Sequence, residues 1–166
     1  MAEKTLTNLF EDTLKDIYYA ERKILASLPK MMKAAQSPEL KAAFEKHHTE
    51  TEGQVQRLEE VFGILGQKPK GKTCPAIDGI LEEGKEMMEE YSGSSVLDAA
   101  LISSAQAVEH YEMSRYGTLK RLAEHLELDG AAELLDATLQ EEIQTDEDLD
   151  NLADNDDNEM DRQAAE

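Results

Sequence analysis

Four long stretches of this sequence carry apolar residues at every third or fourth position, the spacing that lays one stripe along an α-helix. The first runs from about Leu6 to Ala35 through Leu6, Phe10, Leu14, Ile17, Ile24, Leu28 and Met31. Thr5 or Thr7 can cap its start, and Pro29 is a place where it would kink or end early. The second opens at Ser37-Pro38, a capping residue followed by a proline at the first helical position, and runs to Leu65, where Gly66 ends it. The third runs to about Leu126, with Ser95 and Asp98 spaced like a capping box. The fourth follows the Asp129-Gly130 turn and reaches about Ala153. Ala, Leu, Glu and Met are plentiful and β-branched runs are nearly absent, which excludes an all-β fold.

The joints between these stretches set a topology. Short joints between the first and second helices, and between the third and fourth, make two antiparallel hairpins. A Gly/Pro/Lys-rich connector over residues 67–75 and a short amphipathic helix from about Ala76 to Glu90 separate the hairpins. That connection is long enough to cross the length of a bundle. Two antiparallel helical hairpins with a short extra helix in a long crossover is the ferritin-like arrangement of the all-α four-helix bundle. The reading is one domain over residues 1–153, followed by an acidic, disordered tail over residues 154–166.

Charge narrows the partners. A formal net charge of -20 on 166 residues repels the phosphates of nucleic acid and anionic lipid alike. No apolar run approaches the roughly 20 residues of a membrane span, and the first residues lack the apolar segment of a secretory leader. The single cysteine, Cys74, forms no internal disulfide and no CxxC pair. The expectation is a cytoplasmic protein that binds neither nucleic acid nor membranes.

Several carboxylates interrupt the apolar stripes. Glu21 lies between Ile17 and Ile24, Glu50 between Phe44 and Leu58, and Glu142 between Leu139 and Leu149. Glu109 and Glu112 sit one turn apart between Ala105 and Leu119. Glu21, Glu50, Glu109 and Glu142 each lie about 12 to 15 residues into their helices, roughly 18–22 Å at ~1.5 Å per residue. In an antiparallel bundle all five acids then converge near mid-height. Burying unpaired carboxylates costs many kcal/mol, so such a cluster must protonate, pair with cations or bind metal. Arg57 and Arg115 sit near the relevant faces and could offset part of the charge. His47, one turn before Glu50, could reach the site, whereas His110 is turned away from Glu109 by one helical step of about 100°.

At these residues the sequence resembles a known family. Tyr19-Ala20-Glu21-Arg22-Lys23, Glu50-Thr51-Glu52-Gly53-Gln54, Val108-Glu109-His110-Tyr111-Glu112, Tyr116-Gly117-Thr118-Leu119, and Glu141-Glu142 with Thr145-Asp146 look like the bacterial YciE/YciF proteins, small stress-associated members of the ferritin-like superfamily. The resemblance implies a homodimeric bundle with a dinuclear metal centre, di-iron by analogy with rubrerythrins and ferritins, and with it an oxidase- or peroxidase-type reaction. Glu21 matches the glutamate of the first helix, and Glu109-x-x-Glu112 the rubrerythrin-like form of the third. Where the superfamily has histidine three residues after the helix-two and helix-four glutamates, this chain has Gly53 and Thr145. Gln54 and Asp146, one residue further on, are the substitutes. The expected ligand set is thus Glu21, Glu50, Gln54, Glu109, Glu112, Glu142 and Asp146, almost wholly oxygen, which admits Mn, Mg or Ca as well as Fe. Two other classes stay open: a non-catalytic stress or structural protein with a vestigial or empty carboxylate site, and an acidic protein whose tail binds a basic partner.

Overall fold

The computed structural model describes residues 3–164, with burial and side-chain contacts through residue 155. Its secondary structure is five helices: α1 (Leu6–Ala34), α2 (Pro38–Ile64), α3 (Pro75–Glu90), α4 (Leu97–His125) and α5 (Asp129–Ala164). Among the described residues there is no strand, and no helix is long and apolar enough to cross a membrane.

Local signals account for most of the ends. At α1, Thr5 and Asn8 form a reciprocal capping box: the Asn8 amide donates to Thr5 Oγ1 (3.3 Å) and the Thr5 amide to Asn8 Oδ1 (3.0 Å). Pro29 does not end α1, which runs five residues further to Ala34. Ser37 caps α2 by accepting from the Leu40 amide, with Pro38 at the first helical position. Gly66, at φ 66°, closes α2 with the paired Gln67-to-Phe62 and Gly66-to-Gly63 amide bonds. The α4–α5 joint turns the same way on Glu127, a non-glycine at φ 57°.

The expected capping role of Ser95 and Asp98 is not realised. Val96 occupies the cap of α4 and makes no side-chain cap bond. Asp98 is buried and turned toward the α1–α2 joint, where its two oxygens accept from the Gln36 and Ser37 amides at 2.7 Å each. Those amides are orphan donors at a helix start, and a carboxylate there complements the helix dipole.

Packing follows the stripes. α1 lies against α2 and α4, and α5 lies against α2 and α4, so the four long helices enclose one core. Phe10, Leu14, Ile17, Phe44, Leu58, Phe62, Leu119 and Leu135 are almost fully buried in it. α3 lies outside, against α1 and α4. Its stripe of Ile77, Ile80, Leu81 and Met88 packs on this core, so it is not left free for a partner. The connector ahead of it is pinned by the Lys72 amide to the Lys15 carbonyl at 3.0 Å. A Cβ at Gly71 would meet Tyr19 Cβ at 3.2 Å, which favours glycine there. Cys74 is buried and caps α3, accepting from the Ile77 amide. The helical backbone of α5 continues past Ala153, the expected domain end, to Ala164. The side chains of the acidic tail from residue 156 lie outside the described residues.

Candidate metal centre

Each long helix sends at least one ionisable side chain into the core. α1 contributes Glu21, α2 His47, α4 Glu109 and Glu112, and α5 Glu142, all buried. Ligand atoms of His47, Glu109, Glu112 and Glu142 lie within 4.8 Å of one another. His47 Nδ1 is 3.0 Å from Glu109 Oε1. Glu21 adjoins the group and accepts a short hydrogen bond from the hydroxyl of buried Tyr116.

These groups have few partners. Both oxygens of Glu112 and of Glu142, Oε2 of Glu21 and of Glu109, and His47 Nε2 are buried without a hydrogen-bond donor or acceptor among the described residues. Two ionised carboxylates cannot bond to each other; the contacts Glu21–Glu112 and Glu109–Glu142 become hydrogen bonds only if one member of each pair is protonated. The protonation equilibria respond accordingly. Burial, then the Glu142 charge, pushes Glu21 up to about 8. Burial, reinforced by the charges of Glu21, Asp146 and Glu50, pushes Glu109 up to about 8 despite its hydrogen bond with Glu142. Burial holds Glu112 and Glu142 well above the carboxylate range as well, with neighbouring acids adding to it. The Tyr116 hydroxyl is driven upward by burial and by Glu21.

The two arginines do not relieve this charge. Arg57 turns outward into a bidentate pair with Glu141 (2.8 and 2.5 Å). Arg115 lies over the Tyr111 ring at 5.1 Å and donates to its hydroxyl. A multivalent cation would satisfy the orphaned oxygens and the imidazole nitrogen together, and mixed carboxylate–imidazole donors suit first-row transition metals. The residues present therefore fit a bound metal.

Of the seven expected ligands, Glu109, Glu112 and Glu142 stand in the tight group and Glu21 beside it. Glu50 stands at the rim, its side chain 22% exposed, 3.6 Å from Lys46 Nζ and accepting from Thr145 Oγ1 at 3.3 Å. Gln54 is buried, but its amide donates to Glu141 at 3.1 Å, while its Oε1 is unpartnered. Asp146 pairs with the exposed His110 at 3.0 Å and leaves Oδ1 buried and unpartnered. The imidazole beside the glutamates is His47, which lies outside that expected set. The signal for it was the inward stripe of α2: Leu40, Phe44, His47, Thr51, Gln54 and Leu58 are all buried at three- and four-residue spacing, and His47 is central on it.

Residues 5–164 match a family described as a domain of unknown function, DUF892. Protein YciF of Escherichia coli (strain K12) is 42% identical over 154 residues, covering 92% of this chain and 93% of that protein. The crystal structure of the E. coli stress protein YciF superposes with a TM-score of 0.90, covering 94% of this chain and 99% of that one. YcfI of Rhodopseudomonas palustris, a proposed structural protein, is 45% identical with a TM-score of 0.87 over 89% of this chain and 94% of its own. On a match that spans nearly its whole length, this chain belongs to the DUF892 family.

Proposed function

We propose that this chain is a YciF-like stress protein built as a ferritin-like four-helix bundle, with a buried centre for two divalent metal ions, iron foremost. The observation that carries the reading is the group of His47, Glu109, Glu112 and Glu142, with ligand atoms mutually within 4.8 Å and most of their oxygens unpartnered. His47, Glu109, Glu112 and Glu142 would hold the metal, with Glu21 completing the set and Glu50 and Asp146 within reach at the rim. A redox-active metal pair held by these residues would supply the electrons for reducing dioxygen or peroxide. The chain's own contribution is to keep the site dry, to hold a proton between Tyr116 and Glu21, and to orient His47 through Glu109. The one imidazole moves the donor set toward transition metals and away from Mg or Ca. A homodimer belongs to the same reading. Its support is the exposed Leu6, Leu9 and Ile64, which lie at one end of the α1–α2 pair.

The test is elemental analysis of the purified protein with melting before and after chelation. About two Fe or Mn per chain and a melting point that falls on chelation support the reading, because a ligand bound only by the folded state stabilises it. No metal, and no shift on adding Fe²⁺ or Mn²⁺, refutes it. That second result favours a non-catalytic structural protein whose cluster is held by protonation, the reading to which the raised Glu21 and Glu109 equilibria and the description of YcfI lend support.

A further inference from the structure

Two adjoining cavities lie beside α3, and one of them reaches the metal-centre group. The outer one, a cleft of about 340 Å³ between α1, α3 and α4, is lined by residues that include Lys30, Lys85 and Met88. The inner one, about 30 Å³, is walled by apolar side chains such as Ile24, Phe44, Ala105 and Leu149, and reaches His47 and Glu109. Ser27, Met31, Leu81 and Val108 line both, so the two share these four residues as a common boundary. Lys46 and Asp148 line the other side of the inner cavity, partly exposed side chains that pair at 2.9 Å where it approaches solvent. We propose that the space beneath α3 is a two-chamber passage that delivers a small uncharged molecule, of dioxygen or xenon size, to the His47–Glu109 side of the cluster and keeps organic molecules out.

Size and lining carry the argument. A cavity of roughly 150 Å³ takes benzene, and one water occupies about 10–15 Å³ of such space. The inner chamber, at about 30 Å³, has room for about two waters, the scale of a diatomic molecule, and is far below that of an aromatic ring. Its apolar walls offer a charged or strongly hydrated species few hydrogen bonds to replace its water. The outer cleft is ten times larger and carries Lys23, Lys30, Lys85, Asp78 and Glu82, so it accommodates polar or larger molecules that go no further. The crossover helix α3 thereby gains a role, since Leu81 forms part of the shared boundary.

The purpose of the passage rests on the metal-centre reading, but its existence is measurable without metal. The probe is xenon, applied under pressure to the full-length, metal-free chain with methyl groups labelled. The Ala105 and Leu149 signals, which report only on the inner chamber, are expected to shift saturably with xenon and to stay unmoved by benzene. Ser27→Phe adds bulk to the shared boundary at a half-buried position and is expected to weaken the xenon shifts at least tenfold; Leu81→Phe does the same from the α3 side. Unchanged helical circular dichroism shows that both variants fold. Absence of inner-chamber shifts in the parent chain overturns the proposal, as do xenon shifts equal in parent and both variants, or benzene shifts as large as those of xenon. A chain that takes up xenon but no metal would sink the metal-centre reading and leave the passage standing.

Discussion

Lowering the pH should stabilise the metal-free protein, the reverse of ordinary acid denaturation. The folded chain keeps a proton on Glu21 up to about pH 8, while the unfolded chain releases it near 4.5. Between those values the unfolded state binds fewer protons, so stability falls as pH rises. From about pH 5 to about pH 7.5 the loss for this one group is about 3 kcal/mol, at ~1.4 kcal/mol per unit of separation. At ~2–4 °C per kcal/mol for a chain of this size, Tm should drop by roughly 6–12 °C, with Glu109 adding to the same trend. Surface repulsion in a chain of net charge -20 has the same sign, so a control is needed. Glu21→Gln deletes the buried titration; Glu86→Gln, at an exposed position of α3, deletes one charge alone. Scanning calorimetry of chelator-treated protein across this range should show a flatter Tm profile for Glu21→Gln and a parent-like slope for Glu86→Gln. A parent Tm that is constant or rises with pH, or equal slopes for the two variants, would refute the reasoning.

Metal should cancel that pH response, because uptake needs deprotonated ligands: at a hundredfold excess of Fe²⁺ or Mn²⁺ over Kd at pH 7.5 the gain of ~2.7 kcal/mol offsets the loss, so the Tm should stay nearly flat between pH 5 and 7.5 where that of the metal-free chain falls. His47→Ala and Glu142→Ala should each weaken metal binding at least tenfold in calorimetric titration, whereas Gln54→Ala should change it far less, since its amide is spent on Glu141. Asp98→Ala removes two charge-assisted bonds from the α1–α2 joint and should lower unfolding stability by about 3 kcal/mol in urea with an unchanged slope. Tyr116→Phe removes the hydroxyl that donates to Glu21 and should raise the Glu21 equilibrium further, visible as an upward move in its carboxyl titration by NMR.

Periodicity and chain punctuation alone determined the helices. Stripes such as Phe10, Leu14 and Ile17 read the same in isolation as in the folded chain, because a helix is set by neighbours three and four residues away. Thr5, Ser37 and Gly66 worked as local signals for the same reason. The interrupting glutamates were legible too, since a charge within an apolar stripe faces wherever the stripe faces; Glu21, Glu109, Glu112 and Glu142 all end in the core. What the tertiary structure alone decided is the rotation of each helix about its axis and the partner each polar group meets. Glu50 and His47 are three residues apart, about 60° short of a full turn, and only packing against α4 and α5 put the imidazole inside and left the carboxylate at the rim. Asp98 looked like a cap for its own helix and serves another across 61 residues of chain. Arg57 and Arg115 looked near enough to neutralise the cluster and found Glu141 and Tyr111 instead. Each outcome turns on distances between helices, which local sequence does not encode, because the energy that selects them arises only when the stripes close on one another.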